Sequence, residues 1–323
     1  MALSETLGEH VFLYCERGTS EALLAEPINA ASNGAFLLAA LCGLALLLLR
    51  PREQRSGDHY LLISLVFLIG LGSLAFHLYA TSATELADVL PIFVFMLVYL
   101  GFALNRFLGA PVGWTVLLVI GFTALMAATT QVKCWDGGMG IPGADVQGVR
   151  RCLNGSLFYL PALGALIAVG LLLEERRHAA APYLLWAAAI LVVSVTLRTF
   201  DMALCDRIVL EGRKIGTHFA WHVLNGFALF LLLRASLEGG PDAVRAVETA
   251  SPSAEAEAAQ TVVAEVPVVE PEARVEAASE SAPQTPLLLT ERVASLPPEA
   301  AKDGEAAKKD EAATEDEKAL LPA

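Results

Sequence analysis

The stretch "YLLISLVFLIGLGSLAFHLYA", Tyr60 to Ala80, runs for 21 residues without an Asp, Glu, Lys or Arg. About 20 apolar residues in helical form cross the hydrocarbon core of a bilayer. Lipid gives a backbone no hydrogen-bond partners, so such a run must satisfy itself as a helix. Six further runs share this character, near 28–49, 86–107, 112–132, 155–173, 181–204 and 216–235. The pattern predicts an all-α membrane protein, a bundle of seven transmembrane helices followed by a disordered C-terminal tail.

The tail is a different kind of chain. Residues 239–323 hold 18 acidic and 7 basic residues, a balance of −11 out of the −13 of the whole sequence. They are rich in Ala, Glu, Pro and Ser and contain no aromatic residue. Such a composition buries too little apolar surface to offset the entropy of ordering. The alternative for part of it is a protein-docking segment around "TPLLLTERVASL". The expected organisation is an extracytoplasmic N-terminal segment over 1–27, a transmembrane domain over 28–236 and an acidic tail over 237–323. Glu5, Glu9, Glu16, Arg17 and Glu21 interrupt the N-terminal segment, which lacks the apolar core of a signal peptide. Nothing in the charge pattern points to nucleic acid.

With seven spans the two termini face opposite sides, and Lys plus Arg counts tie at seven on each face. Arg50, Arg52, Arg55, Arg176 and Arg177 crowd short loops of the C-terminal face, where the positive-inside bias acts most strongly. Cys15, Cys134, Cys152 and Cys205 all fall on the N-terminal face, and Cys42 lies within a helix. Thiols gathered on one face suit an oxidising compartment. The N-terminus is therefore expected outside or in a lumen, and the tail in the cytoplasm.

Some polar residues interrupt the apolar pattern. In "GSLAFHLYATSATELADVLP" (Gly72 to Pro91), Ser73 and His77 are spaced i, i+4, which puts them on one helix face. Asp88 follows, expected at the opening of the third helix just before Pro91. "HFAWH" places His218 and His222 at i, i+4 early in the seventh helix. The topology brings His77, His218 and His222 to the same depth near the N-terminal face. Each alone is readily a hydrogen-bonded packing residue. Together, three neutral imidazoles with an open position suit a catalytic Zn²⁺, and ionisable residues at membrane depth are functional by default. Gly70 and Gly72 would let a neighbouring helix approach closely.

These residues resemble the motif of the alkaline ceramidase family, seven-helix membrane amide hydrolases. Its pattern is S-x3-H, an aspartate eleven positions on followed by x-L-P, then H-x3-H; here Val89 follows the aspartate where glutamate is usual. "YCER" (Tyr14 to Arg17), "AEPINAASN" (Ala25 to Asn33) and "DMALC" (Asp201 to Cys205) also resemble family segments, so the likeness spans about 13–235. The resemblance implies Zn²⁺ held by His77, His218 and His222, with Ser73 and Asp88 around the attacking water. It implies a disulfide between Cys15 and Cys205. It further implies a Ca²⁺ site in eukaryotic members, of which Glu16 and Glu26 match two ligands while Leu13 stands where an aspartate is expected. A hard cation binds less well without that carboxylate. Cys134 and Cys152 bracket a Gly-rich loop and either pair or stay as free thiols. Arg198 and Asp201, at i, i+3, are expected to pair with each other.

The chemistry expected of this set is zinc-dependent hydrolysis of a lipid amide, with Asp88 as general base then acid and Ser73 as oxyanion donor. The resemblance names ceramide, cleaved to a sphingoid base and a fatty acid. Two alternatives share parts of the pattern. One is a related seven-helix hydrolase from the wider superfamily that includes the progestin and adipoQ receptors, acting on another lipid amide or ester, as phospholipase-like members do. The other is a receptor or transporter with a structural metal, although the sequence shows no repeat of the kind transporters carry.

Overall fold

The computed structural model describes residues 7–132, 145–146, 149–150, 152–239 and 243. Seven helices among them are long and apolar enough to cross a membrane: Pro27–Leu48, Gly57–Tyr79, Ser82–Phe107, Val112–Thr130, Cys152–Glu175, Ala181–Phe200 and His218–Ser236. They are the first to seventh spans below. Each boundary falls within four residues of the run read from sequence. The chain is a multi-pass membrane protein. Apart from 237–239 and 243, the expected tail lies outside the described residues, as does Cys134 of the second expected cysteine pair.

The first span packs against the second and the seventh, the second against the third, and the sixth against the fifth and the seventh. Phe36, Leu47, Leu62, Ile69, Leu184 and Leu233 are fully buried where these helices meet. The outward faces stay apolar: Leu38, Leu41, Trp114, Leu117, Ile120 and Trp186 are exposed. Against lipid tails such residues need no partner, so packing and small-residue contacts rather than water exclusion hold the helices together.

Three departures from the sequence reading place the polar residues. The third span begins at Ser82, not beside Asp88, because Thr81 and Thr84 cap it: each hydroxyl accepts from the other's backbone N–H, at 3.3 and 3.0 Å. Asp88 therefore sits in the helix's second turn and Pro91 in its interior. Pro91 has no N–H to offer the Ala87 carbonyl. Gly72 of the second span packs on that same carbonyl, and a Cβ at Gly72 would collide with it.

The fifth span is regular only over Leu160–Glu175. Ahead of it Leu153, Asn154 and Gly155 adopt positive φ of 49°, 55° and 79°. The sixth span ends at Phe200, four residues short of its expected end. There the Asp201 carboxylate accepts backbone N–H groups from Cys15 at 2.9 Å, Thr217 at 2.7 Å and His218 at 2.9 Å. One side chain thus ties the N-terminal segment to the start of the seventh helix. Burial raises the pKa of Asp201, against the lowering effect of those three bonds.

The N-terminal segment lies across this end of the bundle. His10 bridges to Thr81, and Val11 N–H donates to the Ala80 carbonyl at 2.8 Å. A disulfide joins Cys15 to Cys205, as the family resemblance implied.

Candidate metal centre

The second and seventh spans bring His77, His218 and His222 together, with one ligand atom from each lying within 4.8 Å of the others. All three are at most 1% exposed. Nε2 of His77 is 3.2 Å from Nε2 of His222. The opposite ring nitrogens show which tautomers these are. Nδ1 of His77 lies 2.7 Å from the Glu26 carboxylate, which only accepts, so this nitrogen carries the proton. Nδ1 of His222 lies 2.6 Å from Ser32 Oγ. The Ser32 proton goes to the Asn29 carbonyl at 2.7 Å, so Oγ accepts from His222.

With both rings neutral, the two Nε2 lone pairs face each other without a proton between them. That is unfavourable unless a cation lies there. Two nitrogens each about 2.0–2.1 Å from one tetrahedral ion stand about 3.3 Å apart, close to the observed separation. A carboxylate or hydroxyl behind each ligating imidazole is the usual supporting shell of a metal site. Tyr14 supports the third ring differently, stacking on His218 with centroids 3.5 Å apart and planes 17° from parallel. Nδ1 of His218 is buried with no partner. The donor set, the facing lone pairs and this orphaned nitrogen fit a zinc-type ion.

Asp88 and Ser73 join the same small cavity, with His218 and His222 in its wall. Ser73 and Asp88 line that cavity together, and Oδ1 of Asp88 is buried and unpartnered. The close contact at Gly72 brings the backbone of Asp88 against the helix that carries Ser73 and His77.

The residues matched to a calcium site do not fit that ion. Glu16 accepts from the backbone N–H groups of Ile28 at 2.9 Å and Asn29 at 2.8 Å, and so fixes the start of the first span. Burial raises its pKa against those two bonds. Glu26 accepts from Asn29 Nδ2 at 2.9 Å, from His77 and from Arg17. Burial alone would raise the Glu26 pKa, but the bonds from His77, Asn29 and Arg17 outweigh it and hold the carboxyl below its ordinary range. Leu13, buried and apolar, offers no oxygen. The cation among these oxygens is Arg17. Beyond Glu26 its guanidinium donates to the carbonyls of Ser20 and Ala22, both at 3.1 Å, His77 at 2.8 Å and Leu78 at 3.3 Å. Calcium takes six to eight oxygens, and here a guanidinium already lies on Glu26 and the carbonyls around it, while Glu16 is taken by backbone N–H groups.

Arg198 and Asp201 do not pair as expected. Asp201 is engaged by backbone N–H groups, and Arg198 turns inward to donate to the Asn154 carbonyl and, at 3.4 Å, to Tyr14 Oη. Sequence spacing foresaw Ser73, His77, Asp88, His218 and His222 at one place. It did not foresee Ser32, Tyr14 or Glu26 as supports of the imidazoles. Their signal was present in the quoted N-terminal segments, but the partner of each is more than fifty residues away in sequence.

The family model described as Ceramidase matches residues 13–237. A search of curated proteins gives no match.

Proposed function

The chain belongs to the ceramidase family, and from that premise we propose that it is a zinc-dependent hydrolase that cleaves ceramide to a sphingoid base and a fatty acid. Family membership implies a hydrolase of amides and a lipid substrate. The observation that carries the finer reading is the approach of Nε2 of His77 to Nε2 of His222, 3.2 Å apart with both Nδ1 atoms engaged elsewhere.

Zn²⁺ held by His77, His218 and His222 would make water nucleophilic near neutral pH and polarise the substrate carbonyl. The chain supplies the rest. The free Oδ1 of Asp88 takes the proton of the attacking water and later delivers it to the leaving amine. The Ser73 hydroxyl, beside Asp88 in the resting site, turns to donate to the oxygen on which charge develops. Glu26 and Ser32 keep the two imidazoles in the tautomer that presents Nε2.

An apolar pocket supports a long-chain substrate. Ile69, Phe95, Met96, Leu166 and Leu229 line it, and it shares Ile92 and Tyr159 with the histidine cavity. A hydrocarbon chain placed there leaves its carbonyl end beside Asp88. In this reading the N-terminal face, with its disulfide, is extracytoplasmic or lumenal and the tail is cytoplasmic. A ceramide hydrolysis assay with and without chelator, on wild type and Asp88→Asn, tests the function. Chelator and substitution should each abolish turnover, and full turnover in Asp88→Asn would remove that residue from the mechanism.

A further inference from the structure

His218, His222 and Asn225 are spaced i, i+4, i+7 along one face of the seventh span, and Leu229 and Leu232 continue that face. The two histidines lie in the wall of the histidine cavity, and Asn225, Leu229 and Leu232 in that of the apolar pocket. Along this stripe the chemistry changes in order: two imidazoles, one amide, then hydrocarbon.

The amide is the unexplained member. Asn225 is 8% exposed, and among the described residues its side chain makes no hydrogen bond. The other polar groups of the apolar pocket are occupied. Tyr99 donates to the Leu232 carbonyl at 3.1 Å, and Tyr159 lies against Trp221 and the Arg198 guanidinium. A side-chain amide carries an acceptor oxygen and two N–H donors, and burying them unpaired is costly. For packing alone a leucine would serve, as it does one turn on at Leu229.

A ligand lying along the stripe supplies the missing partner. Asn225 stands about 4.5 Å further along the helix axis than His222, so it meets a polar atom close to a carbonyl held at the histidines. The pockets decide which chain carries that atom. The histidine cavity shares Ile92 with the apolar pocket, and it shares Glu85, Val89 and Arg198 with a third pocket that includes Thr129 and Thr130. The hydroxyl-bearing head of a sphingoid base suits the third pocket, which leaves the acyl chain for the apolar one.

We propose that Asn225 determines acyl-chain specificity, selecting ceramides whose acyl chain carries a hydroxyl on the carbon next to the scissile carbonyl. The proposal rests on the ceramide-hydrolase reading above and narrows its substrate. A hydroxyl both donates and accepts, so it can use the amide oxygen or an amide N–H. A plain acyl chain leaves the amide unpaired, and a site built to bond a hydroxyl discriminates against the analogue that lacks it.

The test compares N-(2-hydroxypalmitoyl)sphinganine, in each configuration at the hydroxyl carbon, with N-palmitoylsphinganine on the full chain in detergent micelles. In wild type the better 2-hydroxy substrate should exceed the plain ceramide in kcat/KM by about tenfold, the weight of one neutral hydrogen bond. In Asn225→Leu that ratio should fall to one or below. Asn225→Gln keeps the amide on a longer stem and should retain part of it. Both substrates meet the same protein, so a loss of stability or of metal cancels in the ratio. A wild-type ratio near one, or a ratio unchanged in Asn225→Leu, would overturn the proposal even with both ceramides cleaved. N-palmitoyl-3-deoxysphinganine controls for the other chain. If Asn225→Leu alters the preference for the sphingoid 3-hydroxyl and not for the acyl hydroxyl, the amide serves the wrong chain and the proposal fails. Calorimetric binding of 2-hydroxypalmitate and palmitate to metal-stripped protein separates this from the hydrolase reading. If no ceramide is cleaved, tighter binding of the hydroxy acid that is lost in Asn225→Leu still supports the site, and equal binding, or none, refutes it.

Discussion

Oε2 of Glu26 sits 2.7 Å from Nδ1 of His77, so the residue matched to a calcium ligand holds a histidine of the candidate metal centre. Glu26→Gln exchanges a charged acceptor for a neutral amide and weakens the hold on the imidazole. Zinc affinity, measured by chelator competition, should fall about tenfold to a hundredfold. An unchanged affinity would leave Glu26 with a purely structural part.

Ser32 does the same for His222 through a neutral hydroxyl. Ser32→Ala should therefore weaken zinc by roughly tenfold, the smaller end of the range for such supporting groups. Ser32→Thr keeps the acceptor and should restore most of the affinity in the same assay.

Arg17 is the cation of the N-terminal segment. Thermal unfolding should be the same in excess Ca²⁺ and in a calcium-selective chelator. Arg17→Met leaves Glu26 buried without its charged partner, a loss of about 3–5 kcal/mol, and added Ca²⁺ should not restore the melting temperature. Calcium-dependent stability in wild type would contradict the account of this segment.

Much of this arrangement was legible in the sequence, and the reasons are physical. A run such as Tyr60–Ala80 has a single stable form in lipid, so the spans could be read from length and polarity. Imidazoles at i, i+4 had to share a face, so His218 and His222 converged on paper as they do in space. What spacing could not supply was tertiary. The start of the third span depended on Thr81 capping rather than on hydropathy, which moved Asp88 inward. The Arg198–Asp201 pairing failed because Asp201 met the N–H groups of Cys15 and Thr217, which local sequence does not place nearby. Arg17 among the oxygens of a presumed ion site also required the fold.

Gly72 offers a further check. A methyl group there meets the Ala87 carbonyl and must push the third span away. Gly72→Ala should cost about 1–3 kcal/mol, the usual penalty of overpacking. It should also reduce turnover, because Asp88 shifts relative to His77. A variant with wild-type melting temperature and turnover would show that the contact yields freely.

The most direct test of the centre is the metal content of purified protein, wild type beside His77→Ala, His218→Ala and His222→Ala, by mass spectrometry of the metal. Wild type should carry about one zinc per chain, the stoichiometry of a three-histidine site, and each substitution should remove it. Full zinc occupancy in His218→Ala or His222→Ala would contradict the site.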